Sequence, residues 1–336
     1  MGSDGIGSAP PRSRGAVLFS GGLDSMLACL VLREQGCDVR CIAFSSPFFS
    51  PAQARKSAAA IGADLEVVDF TEDILSLVEH PRHGFGGGLN PCIDCHGRMI
   101  MRAGEIVRGR GWDFVATGEV LNQRPMSQNR RSLEMVAKDC GVADILVRPL
   151  SAKLLPETDV ERAGLVDRGR LLAIEGRSRR EQMALARHFG LSDYPSSGGG
   201  CLLTEKLYSN KLALLRNAGR LRDLTAVRLL KFGRHFLLPG GAKAIVGRNV
   251  TENEAMRGMA ENGGYLVIRP IGVPGPTTLL DGTATPDDVD VAARLCAGYS
   301  DNGDGLVNIR IFKGAELLEE RPTQRLPREE ARPWLL

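Results

Sequence analysis

The sequence has few aromatic residues, little net charge and no long apolar run. Of its 336 residues, 5% are Phe, Trp or Tyr, so a core must rest on Leu, Val, Ile and Ala. No stretch reaches the roughly 18–20 apolar residues that a membrane-crossing helix requires, so no membrane partner is expected. The opening MGSDGIGSAPPRSRG has no apolar h-region, and residues 1–14 read as a flexible tail rather than a signal peptide. A formal net charge of +3 is too small to announce a polyanionic partner by itself. Eight cysteines in a chain this long do not make a disulfide scaffold, and without an export signal they point to the reducing cytosol. What is present is an ordinary globular balance, 43% hydrophobic and 25% charged, at a length that suggests two domains.

Along the chain, GAVLF (15–19), DVRCIAF (38–44), LEVVDF (65–70), WDFVATGE (112–119) and ADILVRPL (143–150) read as strands. Helical patterns separate the first three, MLACLVLREQG and PAQARKSAAAIGA. Strand, helix, strand, helix, strand predicts an open α/β sheet with parallel strands over residues 15–205. Two segments are too rich in Gly for regular structure: HGFGGGLNPCIDCHG (83–97) and YPSSGGGC, ending at Cys201. Loops of that kind inside an α/β domain usually carry function.

The string SGGLDS, Ser20 to Ser25, sits directly between a strand and a helix. Glycines let backbone approach a phosphate without a Cβ clash, and N–H groups at a helix start favour an anion. Ser20, Gly21, Gly22, Leu23, Asp24 and Ser25 are therefore the expected phosphate cradle, with Asp24 free to hold Mg²⁺. The Lys of the Walker loop and the spaced glycines of a dinucleotide loop are both missing. Thr117 and Gly118 fall at the C-terminal end of another strand, where open sheets bind ligands.

Cys29 and Cys41 lie in apolar surroundings and read as small core hydrophobes, with Cys140 and Cys296 beside them. Cys37 is uncommitted. Cys92, Cys95 and Cys201 differ, because each sits among Gly, Pro and polar residues. CIDCH, Cys92 to His96, admits four readings: c-type haem, structural zinc with Cys201 and His96, a redox dithiol carrying a persulfide, or a 4Fe–4S cluster on three thiolates. Haem suits neither the nucleotide loop nor the missing export signal, and the other three stay open on chemistry alone.

The segment Lys206 to Val250 holds ten Lys or Arg against one acid, Asp223, whereas Thr251 onward holds nine bases against fourteen acids. The small global charge thus hides a basic stretch suited to a phosphate backbone. Arg177, Arg179 and Arg180 in GRSRREQ extend such a track or form a solvated face. DNGDG (301–305) lacks the later Glu of a calcium loop.

SGGLDS in this setting resembles the PP-loop of the N-type ATP pyrophosphatases. That resemblance implies ATP and Mg²⁺ as cofactors, pyrophosphate in the loop, adenine against backbone near Phe44, and adenylation of a carbonyl oxygen. NPCIDCH, RPLSAKLLPET and GGGCLLTEKLYSNKL resemble the 4-thiouridine synthetase-like branch of the tRNA thiolation enzymes. It implies Asp24, Cys92, Cys95 and Cys201 as catalytic residues, the three cysteines holding a 4Fe–4S cluster (zinc as the alternative metal). It also implies tRNA as partner and sulfide or a cysteine desulfurase as sulfur donor. KFGRHFLLPGGAKAIVGRNVTEN, 231–253, is similar to the RNA-binding domain that ends the NFACT proteins, which implies a smaller α+β domain over 206–336. Lys231, Arg234, His235, Lys243, Arg248 and Asn249 are its expected RNA contacts.

Overall fold

The computed structural model describes residues 13–196, 200–260, 264–301 and 305–336. The expected tail therefore lies almost wholly outside the described residues, as do Ser197, Gly198 and Gly199 of the second Gly-rich loop and Asn302, Gly303 and Asp304 of DNGDG. The chain forms two compact units, Met1–Thr204 and Glu205–Leu336.

The first unit holds strands β1 (Arg14–Leu18), β2 (Asp38–Ser45), β3 (Leu65–Asp69), β4 (Phe114–Thr117) and β5 (Leu146–Val147). Its helices are α1 (Leu23–Glu34), α2 (Ala52–Ala60), α3 (Thr71–Glu79), α4 (Cys92–Gly109), α5 (Arg130–Asp139), the single turn α6 (Asp159–Arg162) and α7 (Arg180–His188). The strands pair in the order β3-β2-β1-β4-β5, all parallel. β1 is buried on both faces, with Ala16 and Val17 fully covered, which is why it reads as a continuous apolar run. Strand order reverses at β1, so the loops after β1 and β4 open side by side at the carboxyl ends of their strands, where doubly wound sheets bind ligands.

One expected strand is much shorter than its pattern. In ADILVRPL only Leu146 and Val147 pair with β4, because Ala143–Ile145 is a 3-10 turn. Pro149 has no N–H for a ladder, and Arg148 is drawn into a side-chain ion pair described below.

The second unit opens with α8 (Lys206–Asn217) and α9 (Leu224–Leu229). Strands β6 (Arg234–Leu237), β7 (Lys243–Val246), β8 (Tyr265–Ile271), β9 (Thr278–Asp281), β10 (Val307–Lys313) and β11 (Glu316–Thr323) form one antiparallel sheet in the order β11-β10-β8-β9-β7-β6. The remaining helices are α10 (Val250–Ala260), α11 (Pro286–Gly298) and α12 (Arg328–Ala331). Alternation splits the strands between two faces. Ala244, Val246, Ile268 and Leu280 pack against Ala292, Ala293 and Cys296 of α11. Ile245, Val267 and Leu279 pack the other way, against Met256 and Ala260 of α10. A capping box, Thr285 with Asp288, and Pro286 in the first turn start α11.

Candidate active site

The loop after β1 is shaped by its glycines. Gly21 has φ +79°, and a Cβ there would lie 2.6 Å from the Gln53 carbonyl oxygen. A side chain is excluded on both counts. The Ser57 hydroxyl donates to the Gly21 carbonyl (2.7 Å), which fastens the loop to α2. Gly22 is the N-cap of α1 and offers no side-chain acceptor, so the first amides of the helix face outward uncapped. Ser20 Oγ accepts from the Gly22 N–H (3.3 Å), and Ser25 Oγ donates to the Gly22 carbonyl (2.8 Å). Leu23 itself is core, 2% exposed, so its part in the loop is its backbone.

Asp24 lies in the first turn of α1. Gln123 Nε2 donates to its Oδ2 (3.0 Å), while Oδ1 is buried with no hydrogen-bond partner. Burial pushes its carboxyl up; Gln123, Arg179 and Arg124 pull the other way. An unsatisfied carboxylate oxygen at a loop of this shape suits a divalent cation. Gly118 closes on the same turn, since a Cβ there would meet Ser25 N at 2.6 Å. Ser20 to Ser25, Thr117 and Gly118 therefore come together. The Phe44 ring turns instead to Phe70 (centroids 5.1 Å apart), so only its backbone at the end of β2 is available to a base.

The cysteine segment begins α4, with Cys92 and Cys95 one turn apart. Cys95 is buried, and burial pushes its thiol well up, with further upward pushes from Cys201, Cys92 and Asp94. Cys95 thus lies within reach of the charge on both other thiols. Leu202 N–H donates to the Phe48 carbonyl (3.0 Å), which hangs the Cys201 segment on the loop after β2. As a donor set, three thiols fit a cluster or a zinc site. Among the described residues, however, no three His, Cys, Asp or Glu side chains converge closely enough to hold a metal ion as they stand. Burial also raises the Cys92 thiol, opposed by Arg124. The other five cysteines are buried, and Cys29 and Cys41 touch at 3.8 Å between sulfurs.

Sequence reasoning missed the residues that hold this segment. His96 Nδ1 lies 3.3 Å from Glu119 Oε1, and Arg148 Nε donates to Glu119 Oε2 (2.8 Å). Burial alone would raise the Glu119 carboxyl, but Arg148 and His96 hold it down to about 2. Asp94 accepts from the His83 N–H (3.0 Å), folding the Gly-rich loop back on α4. His96 is thereby turned toward a carboxylate rather than toward the thiols. TGE after β4 was the one available signal, an acid directly following a ligand-binding strand end. A cavity of about 380 Å³ elsewhere in this unit is lined by five carboxylates, Glu134, Asp144, Glu157, Asp159 and Glu161, against two guanidinium groups, Arg148 and Arg162, a poor balance for phosphates.

In the second unit the expected RNA contacts separate. His235 is 5% exposed, and its Nε2 lies 2.9 Å from the Phe232 carbonyl. Burial, with Lys211 next, pushes the ring down to about 3, so it is a neutral core group that cannot reach a phosphate. Asn249 caps α10, accepting from the Glu252 N–H (2.9 Å), and Arg248 is ion-paired with Glu252. Asn253 accepts from Thr277 N–H (2.9 Å). The GRN…EN string is thus largely scaffold. Arg234 lies over the Tyr299 ring. Lys243 lines a small cavity, about 30 Å³, with Lys211, Arg220 and the His235 ring. Lys231 is exposed beside exposed Arg228.

A parallel sheet whose switch point carries an uncapped, glycine-shaped loop defines a nucleotide-binding α/β unit of the PP-loop type. Residues 12–153 match the family model described as thiamine biosynthesis protein (ThiI), and residues 233–335 match the NFACT protein RNA binding domain. The first unit thus carries a segment similar to the ThiI family, and the second a segment similar to the NFACT RNA-binding domain. It is 28% identical over 137 residues to tRNA-specific 2-thiouridylase MnmA of Pelobacter propionicus, covering 36% of this chain and 38% of that one. That match spans well under half of its relative. The MnmA of Azorhizobium caulinodans is 24% identical over 93% of this chain and 87% of its own. A solved 4-thiouridine synthetase–RNA complex with bound ATP is a distant likeness: 18% identity, TM-score 0.35, covering 64% of this chain and 52% of that one.

Proposed function

We propose that this chain is an ATP-dependent tRNA sulfurtransferase that replaces a uridine carbonyl oxygen with sulfur. One observation carries the reading: Gly118 packs against the Asp24–Ser25 turn, and the next residue, Glu119, pairs with His96 directly after Cys95. In this reading the nucleotide loop and the cysteine segment serve one site at the end of β4. The ThiI model and the names of the thiouridylase relatives support thiolation. The thiamine wording of that model would suit a small acceptor, but an RNA-binding domain on the same chain favours RNA.

A uracil carbonyl oxygen is a very poor leaving group and needs activation. It attacks the α-phosphate of ATP, and pyrophosphate departs. Hydrosulfide then adds to the activated carbon, loses its proton, and AMP leaves with the original oxygen. In this reading the amides of Gly21 and Gly22 and the hydroxyls of Ser20 and Ser25 receive phosphate oxygens, and Asp24 Oδ1 takes the Mg²⁺ of Mg·ATP. Phe44 backbone borders the adenine, and Thr117 and Gly118 close the pocket floor. Cys92, Cys95 and Cys201 would hold a 4Fe–4S cluster, which when bound keeps a sulfide deprotonated near neutral pH. A persulfide on Cys92/Cys95 or Cys201, without a cluster, is the second reading, favoured by Cys92 and Cys201 being half-buried rather than core thiols. The resemblance to 4-thiouridine synthetases favours the C4 carbonyl. Arg228, Lys231 and Lys243 are the cations proposed for the tRNA backbone, where contacts give affinity without base reading.

The test is turnover. With Mg·ATP, sulfide and unmodified tRNA, AMP and pyrophosphate are expected in equal amounts, and omission of tRNA should lower the rate at least roughly tenfold, as when substrate binding completes a site. Equal ATP consumption with and without tRNA would remove RNA as the acceptor.

A further inference from the structure

Two guanidinium groups stand at the nucleotide pocket without a carboxylate of their own. Arg179 precedes α7, which packs on α1, the helix whose first turn carries Asp24. Arg124 follows Gln123, the hydrogen-bond donor to Asp24. Their two segments are stitched together: Leu121 and Glu175 form a parallel bridge, and Gly176 N–H donates to the Leu121 carbonyl (2.8 Å). Each arginine thus comes three residues after a pinned backbone position. Arg179 Nε is buried and has no hydrogen-bond partner. Neither arginine forms an ion pair among the described residues, and Asp24, whose carboxyl feels both charges, is not within ion-pair distance of either.

Buried guanidinium N–H groups without acceptors are costly, and a guanidinium cannot shed its proton to relieve the cost. Arg179 is such a group; with exposed Arg124 beside the same partly unsatisfied carboxylate, positive charge is in excess at the loop. A divalent cation on Asp24 would worsen that excess; a polyphosphate would cancel it, since phosphate oxygens accept a guanidinium fork bidentately. We propose that Arg179, assisted by Arg124, grips the pyrophosphate moiety of Mg·ATP and stabilises the charge that grows there as the α–β bridge breaks. This rests on the ATP reading above. It moves Arg179 from a surface or RNA-track residue to the triphosphate pocket, and it leaves exposed Arg177 out.

Calorimetric titration of the full chain with the α,β-methylene analogue of Mg·ATP, with inorganic pyrophosphate and with AMP tests it. Arg179→Ala is expected to weaken the ATP analogue and pyrophosphate by roughly ten- to a hundredfold, the cost of one charged hydrogen-bonding group, with AMP within about twofold. Arg179→Lys should recover part of the loss, because an ammonium restores the charge without the fork. Arg124→Ala should show the same selectivity more weakly, and Arg177→Ala should match the parent chain. Melting curves establish that each variant is folded. If Arg179→Ala binds pyrophosphate like the parent, or loses AMP equally, the clamp is overturned while the ATP reading stands. If the parent chain binds neither nucleotide nor pyrophosphate, the ATP reading fails first.

Discussion

Asp24→Ala is expected to reduce thiolation by about a thousandfold or more, the several kcal/mol that a correctly held metal ion contributes to a phosphoryl transition state. The loss should appear in turnover and in Mg·ATP affinity, not in folding. Asp24 has one oxygen bonded to Gln123 and one buried without a partner, and its carboxyl is raised by burial. Such a group is held against the stability of the unit, so removing it should leave the melting temperature unchanged or slightly higher. Asp24→Asn should behave the same way, since an amide keeps the shape and forfeits the cation. Thermal melts beside rate measurements check both halves. A variant that thiolates at the parent rate would end the assignment of this loop.

Substituting Ala for Cys92, Cys95 or Cys201 should cost thiolation at least the roughly hundredfold that loss of an outer-sphere partner costs a metal site. ATP-analogue affinity should be retained. Cys29→Ala and Cys140→Ala serve as controls, because those thiols are fully buried core groups. Anaerobic preparation separates the two sulfur chemistries. Iron and acid-labile sulfide near four each per chain, lost in all three variants, supports the cluster. Sulfane sulfur on the protein without iron supports the persulfide. Full activity in the triple variant would contradict both.

What could be read from the sequence was whatever is encoded locally. SGGLDS carries its glycines, hydroxyls and acid within six residues, and the βαβ alternation fixes a parallel sheet. The network behind the cysteines was not readable, since His96 and Glu119 are 23 residues apart and Glu119 and Arg148 are 29 apart. Only the pairing of β1 with β4 and β4 with β5 brings those segments to one place. GRSRREQ shows the same limit. Its charge suggests RNA, yet α7 packs on α1 and Arg179 Nε is buried, while Arg177 is exposed. In the second unit, composition identified a basic stretch but not which cations are spent internally. Asn249 and Arg248 go to the start of α10, and His235 goes to the core, because both faces of the sheet are covered at β6 and its neighbour Phe236 is buried as well.

The central claim is that a uracil carbonyl oxygen is activated as an adenylate and then replaced. Transfer RNA carrying ¹⁸O at its uracil carbonyls, incubated with Mg·ATP and sulfide, tests this directly. The account expects one thionucleoside for each AMP, with the ¹⁸O recovered in the AMP phosphate. Thionucleoside formed beside unlabelled AMP would contradict it, as would labelled AMP with no sulfur in the RNA.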